Sequence, residues 1–278
     1  MVNREHIIID TDAGGDPDDA LAIGLARNMP NVIALVTSDE IGGDRRAHFV
    51  RSLAGRVPVI AGLASPNPGK HVLDYLRVES RDPIPMMQDE LPGIIDSALR
   101  NGPVSWIGIG SYTNLAWLIE RYPRLASELR VTLMGGRLNH TEHDRPEHNF
   151  KVDPSAAMKV SEAISDLTFV PTTVTTNEAT RVDASHSLIA YLSQSDEEWC
   201  AAALQNFEVW FDNRFPASYQ HDALTLAIAT HAIRRFDTVH VRATPTGGLV
   251  EDDSSSIRAV SGNVDYDGLW RWIWDTLQ

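Results

Sequence analysis

The sequence predicts an α/β protein with an open, mostly parallel, Rossmann-like sheet flanked by helices, in one domain spanning residues 1–278. Three observations predict it. Short apolar runs rich in Val, Ile, Leu and Thr alternate with helix-period segments over the first two thirds of the chain. No Pro/Gly/Ser stretch is long enough to separate two domains, and no repeat or low-complexity run interrupts the pattern. With 278 residues, 43% of them hydrophobic and 22% charged, the chain can bury a core of that size.

The run EHIIID reads as the first strand, followed by the helix DDALAIGLARN, whose aspartates sit at the positive end of the helix dipole. NVIALVT is the second strand and AHFVRSLAG the next helix; VPVIAG is the third strand, leading to GIIDSALRN. PVSWIGIG and LRVTLMGG are strands separated by the helical stretch TNLAWLIERYPRLASEL. DPSAAMKVSEAI follows as a helix, with Asp153 before Pro154 as its N-cap, and LTFVPTTV is the next strand. Residues 184–235 read as mainly helical, TVHVRATPTGGLVEDDSSSIRAV as a small antiparallel section, and DYDGLWRWIWDTL as a closing helix with its tryptophans in packing roles. Right-handed crossovers would gather the C-terminal strand ends, and any ligand crevice, along one edge.

The net charge of −14 argues against nucleic acid, which such a surface repels. Only three lysines are present, which weakens any mechanism needing a phosphate-gripping lysine. Cys200, the single cysteine, excludes an internal disulfide and reads as a small buried hydrophobe. No apolar run approaches the roughly 20 residues of a membrane span, and the start MVNREHIIID shows no leader pattern, so the expectation is a cytoplasmic protein without a membrane partner.

The chemistry concentrates in IIIDTDAGGDPDDALAIGLA, where Asp10, Asp12, Asp16, Asp18 and Asp19 fall within ten positions at a strand-to-helix turn. Helix capping accounts for two or three of these acids, but not for their convergence. Gly14 and Gly15 permit a tight backbone path that would crowd the carboxylates together. Two like charges 4 Å apart repel by about 4 kcal/mol near a protein surface, so protons or a cation must offset the cluster. Hard oxygen ligands in this number favour Ca2+. IGIGSYTNLA could lend main-chain oxygens to the ion, and the helix start SYQHDALTLA could lend Asp222 as a further carboxylate. Glu147 and Asn149 lie in the loop before the Asp153 cap, placed either to bind sugar hydroxyls or simply to be solvated.

Taken in order, these motifs resemble the nucleoside hydrolases of the inosine/uridine-preferring type. The resemblance rests on Asp10, Asp12, Gly14, Asp18, Asp19 and Ala20; on Gly110, Thr113 and Asn114; on Met134, Gly135 and Gly136; on the segment Glu147 to Ala157; and on His221 with Asp222. It implies the nucleoside hydrolase fold and Ca2+-dependent hydrolysis of the N-glycosidic bond of a small-molecule ribonucleoside. By that resemblance, Asp12, Asp19, Asp222 and the main-chain carbonyl of Ile109 would ligate the metal. Asp12 would also be the general base, Asp10 would orient its neighbours, and His221 could protonate the departing base. Asp18, Glu147 and Asn149 would hold the ribose. A homodimer or homotetramer is the implied assembly.

The chain departs from the pattern in TSDEIGGDRRAHF, where Asp44, or alternatively Asp39, stands near the place of an asparagine that contacts ribose. In DNRFPASYQHD no tyrosine-bearing helix is evident, which leaves Trp210 and Phe211 to meet the base. Two rival readings remain at this level. IIIDTDAG also suits an aspartyl-phosphate phosphatase, although Gly14 stands where that chemistry wants Thr. A nucleoside- or Ca2+-binding protein that has lost turnover would keep the same acids.

Overall fold

The computed structural model describes residues 5–67, 72–78, 82–140, 145–213 and 215–278. The strands are β1 (His6–Thr11), β2 (Val32–Thr37), β3 (Val59–Ile60), β4 (Val104–Gly108), β5 (Leu129–Met134), β6 (Arg137–Leu138), β7 (Leu167–Val170), β8 (Arg181–Val182), β9 (Ser218–Tyr219), β10 (Asp237–Ala243), β11 (Gly248–Glu251) and β12 (Arg258–Gly262). The helices are α1 (Asp18–Ala26), α2 (Arg45–Leu53), α3 (Met87–Leu99), α4 (Thr113–Arg121), α5 (Pro123–Ser127), α6 (His148–Val152), α7 (Pro154–Ala163), α8 (Thr172–Thr175), α9 (Ser187–Gln194), α10 (Glu198–Asp212), α11 (His221–Ala229) and α12 (Tyr266–Leu277).

Among the described residues, ten strands form one sheet in the order β3-β2-β1-β4-β5-β7-β12-β10-β11-β6. The pairs from β3 to β12 are parallel, β12–β10 and β10–β11 are antiparallel, and β11–β6 is parallel again. The sheet is thus open, mostly parallel and flanked by helices, as the alternation of segments predicts. Its strands carry near-continuous apolar runs because helices cover both faces. On one face, α1, α2, α10 and α11 cover Ile7, Ile9 and Leu35. On the other, α3, α4 and α7 pack over Ile8, Val36, Trp106 and Val131.

The topology fixes where a ligand can enter. From β1 the chain winds outward to β2 and β3, then returns to lay β4 on the opposite side of β1. Strand order therefore reverses between β1 and β4, and the loops leaving their C-terminal ends diverge around a crevice.

Two local readings shift. The LTFVPTTV run stops being a strand at Pro171, which lacks an N–H, and Thr172 to Thr175 turn into α8. The stretch TNLAWLIERYPRLASEL breaks at Tyr122, with Pro123 opening α5 at a position where its missing N–H costs nothing. The small antiparallel section forms as β10 pairs with β11 and β12, and β12 also pairs with β7, which joins the section to the main sheet. The Asp153 cap holds: its carboxylate accepts from Ala156 N–H at 3.0 Å. Cys200 is buried, and among the described residues no helix is long and apolar enough to cross a membrane.

Candidate active site at the β1–β4 crevice

The acidic loop leaves β1 beneath the start of α1. Asp10, still within the strand, is buried and accepts from the Asn114 amide at 2.9 Å. Its carboxyl is held well above the usual range by burial, with the nearby Asp12 charge adding to the effect. The Thr11 hydroxyl donates to Asp19 Oδ1 at 2.5 Å and accepts from the Ala13 N–H at 3.2 Å. Gly14 follows at φ +104, a backbone region that side chains disfavour, and this lets the chain double back toward α1.

Asp18 and Asp19 fill the first turn of α1, and Asp222 fills that of α11. These helices pack directly on one another, so the three carboxylates meet. One oxygen from each lies within 4.8 Å of the others, and all three side chains are buried. Burial raises the pKa of each, and repulsion within the acidic cluster raises it further. The main-chain N–H of Asp222 faces the Asp18 carboxylate and opposes part of that rise. Asp16 accepts from the Ser218 hydroxyl and is pushed by burial, then by Asp19 and Asp12, up to about 7. Asp12, unlike the buried Asp10, Asp18, Asp19 and Asp222, is partly exposed, and its charge acts on those four and on Asp16. Three buried oxygens at this spacing, backed by more carboxylates, are a hard donor set that fits a divalent cation.

The loop after β4 closes the other wall. Ile109 donates its N–H to the Asp10 carbonyl at 2.7 Å, which holds this loop against the end of β1. A Cβ on Gly110 would stand 2.8 Å from Asp12 N and 2.5 Å from Ser38 Oγ, so only glycine lets this loop lie against Asp12. Asn114, fully buried at the start of α4, donates to Asp10 and to the Thr37 carbonyl, each at 2.9 Å, and accepts from Leu63 N–H at 2.9 Å. One amide thus ties three strand ends together.

At the end of β5, the Met134 carbonyl accepts from Tyr112 at 2.9 Å and from the Asn149 amide at 3.1 Å. Glu147 caps α6, accepting from Phe150 N–H at 3.2 Å, and burial raises its pKa. Glu147 and Asn149 are both buried, so their solvated reading falls away.

His221 opens α11 next to Asp222, with Nδ1 2.6 Å from the Thr175 hydroxyl. Burial holds its imidazole down at about 4, so the ring is neutral near pH 7. Trp210 lies one turn beyond Asn206, whose amide donates to the Gly15 carbonyl at 3.1 Å. The Trp210 indole donates to the Ala217 carbonyl at 2.9 Å and stacks on Phe215 with centroids 3.8 Å apart. Phe211 packs instead against the buried core. Asp44 is the partly exposed residue before α2, in left-handed backbone at φ 51, whereas Asp39 is buried against Arg46. Sequence reasoning missed Arg46, Thr11 and the bridging role of Asn114. A buried arginine has no local signature, and Asn114 was visible only as one letter of a motif.

The family model for inosine-uridine preferring nucleoside hydrolases matches residues 7–271, a span that takes in every residue of this crevice. The chain belongs to this nucleoside hydrolase family. A probable uridine nucleosidase 2 of Oryza sativa subsp. japonica is 29% identical over 197 residues, covering 62% of this chain and 58% of its own length. A non-specific ribonucleoside hydrolase, RihC, of Salmonella paratyphi A is 33% identical over 187 residues, covering 58% of this chain and 59% of its own. The chain thus spans under two thirds of the length of the curated relatives it matches. Among solved structures, the plant nucleoside hydrolase PpNRh1 superposes with a TM-score of 0.74 at 21% identity over 99% of both chains, a likeness of fold.

Proposed function

We propose that the chain hydrolyses the N-glycosidic bond of ribonucleosides, releasing ribose and free base, with a bound Ca2+ in the crevice between β1 and β4. The observation that carries the reading is the meeting of Asp18, Asp19 and Asp222 within 4.8 Å at the switch point of a nucleoside hydrolase family member. Membership in that family also displaces the aspartyl-phosphate alternative. Asp12, Asp19, Asp222 and the Ile109 carbonyl would hold the ion, with Asp18 in the same cluster turned to the ribose hydroxyls. When bound, the cation neutralises the acids, acidifies water and helps fix the sugar.

Asp12, lodged against Gly110 and more open than its neighbours, takes a proton from the water that attacks the anomeric carbon. The C–N bond breaks through an oxocarbenium-like state, whose positive charge the surrounding carboxylates stabilise. Glu147 and Asn149 grip the sugar from the β5 side, and Asp44 lies at the β2 side of the crevice. Holding ribose between these walls converts attack into a positioned event, the source of much of the rate gain. Trp210 meets the base. His221, neutral at pH 7, assists departure as a hydrogen-bond donor from Nε2, the tautomer in which Nδ1 accepts from the Thr175 hydroxyl. Asp10 orients the loop through its bond to Asn114. The purified protein should release ribose from inosine or uridine, and EDTA should abolish the release while added Ca2+ restores it. Tight nucleoside binding without ribose would instead favour a binding protein of the same fold. Cytoplasmic location and a homodimer or homotetramer complete the proposal, the latter measurable by light scattering.

A further inference from the structure

Arg46 sits in the first turn of α2 with 1% of its surface exposed. A guanidinium out of water is costly unless its donors are met, and its contacts to Asp12, Ala13 and Asp39 lie in the loop after β1, which forms one wall of the crevice, and the loop after β2. Nη1 donates to the main-chain carbonyls of Asp12 and, at 2.7 Å, of Ala13. Nε donates to the Asp39 carbonyl at 3.2 Å, and Nη2 lies 3.7 Å from Asp39 Oδ2. Asp39 is held at φ 53, a left-handed backbone uncommon for a residue with a side chain and one that persists only when its surroundings enforce it. Glu40 braces the same turn, accepting from Thr37 Oγ1 at 2.8 Å, Ile41 N–H at 3.1 Å and Ala47 N–H at 2.6 Å.

We propose that Arg46 is a positioning residue for the hydrolytic reaction: it staples the loop after β1 to the loop after β2 and so fixes where the Asp12 carboxylate points. The inference rests on the hydrolase reading above. The guanidinium holds the carbonyl of Asp12 itself, one peptide plane from the side chain that takes the proton. Its fork spreads donors over three carbonyls on two loops, which the single ammonium of a lysine cannot match. A displacement of about 1 Å in a positioned catalytic group costs about 10²-fold in rate.

The test compares wild type with Arg46→Ala and Arg46→Lys for steady-state ribose release, with and without millimolar guanidinium chloride, and for amide hydrogen exchange by mass spectrometry. For Arg46→Ala, kcat should fall by about 10²-fold with KM little changed. Added guanidinium should restore part of that kcat and do nothing for wild type. Exchange should accelerate in residues 11–16 and 38–44 and stay unchanged in the β4–β5 region. Arg46→Lys keeps the charge without the fork; it should fold and lose kcat, and it carries the test should the alanine variant fail to fold. Unchanged kcat with unchanged exchange in both loops would overturn the proposal. So would a loss that guanidinium cannot rescue together with exchange raised throughout the chain, the mark of a merely structural role. If wild type itself releases no ribose, the hydrolase reading fails, and local exchange alone decides whether Arg46 staples the loops.

Discussion

Replacing Asp222 by Asn should make the cation-free protein more stable, although it removes a residue from the centre of the site. The three carboxylate oxygens of Asp18, Asp19 and Asp222 lie within 4.8 Å of one another. At that separation and an effective dielectric of about 20, each ionised pair repels by about 3.5 kcal/mol, and Asp222→Asn would remove two of the three pairs. The full sum, about 7 kcal/mol, is never realised, because the cluster can hold a proton instead. Protonating an ordinary carboxyl at pH 7 costs about 4 kcal/mol, so that figure caps the relief. The raised pKa values of all three acids have the direction this argument requires. Allowing for the cost of burying an amide, Asp222→Asn should gain about 1–3 kcal/mol in EDTA, a rise of several degrees in Tm for a chain of this size. Differential scanning calorimetry in EDTA and in excess Ca2+ reads it directly. Wild type should gain stability from Ca2+ and the variant should gain almost none. A variant that melts below wild type in EDTA, like any core residue stripped of a partner, would refute the claim that the cluster is under electrostatic load.

Two further outcomes follow from the same electrostatics and geometry. In EDTA, the raised carboxyls mean that above about pH 4 the folded chain holds more protons than the unfolded one, so stability should fall as pH rises. His221, held at about 4, acts in the opposite sense up to about pH 6.5 but is one group against five acids. Because a bound cation removes the carboxyl contribution, the Tm gap between Ca2+ and EDTA should widen from about pH 5 to about pH 8; a constant gap would contradict it. Asp12→Ala should lower kcat by about 10³-fold while circular dichroism stays close to wild type, and near-normal turnover would end the general-base role.

Much of the site was legible because its chemistry is local in sequence. Asp10, Asp12, Asp18 and Asp19 share one turn, and the Asp153 cap and the Met134–Gly136 strand end carry their own signals. Distances across the chain were not legible. The spacing of residues 18, 19 and 222 says nothing of the α1–α11 packing that joins them; the helix start SYQHDALTLA offered Asp222 only as a candidate, and the family resemblance implied its place among the ligands. Arg46 gives no local sign of burial, because charge alone argues for solvent, and its burial depends on carbonyls offered by two distant loops. The junction of β12 with β7 likewise depends on the pairing of Arg258 with Thr168, far apart in sequence, for which no periodicity exists. The strand reading of LTFVPTTV and the helical reading of TNLAWLIERYPRLASEL ran through Pro171 and Pro123, although the breaks there follow from the missing N–H alone.

The most direct test of the account is the count of tightly held Ca2+ per chain, measured by isothermal titration of EDTA-stripped protein and checked by elemental analysis. One ion per chain in wild type and none in Asp222→Asn is the result the acidic cluster predicts. No bound ion in wild type, or equal binding in both proteins, would contradict it.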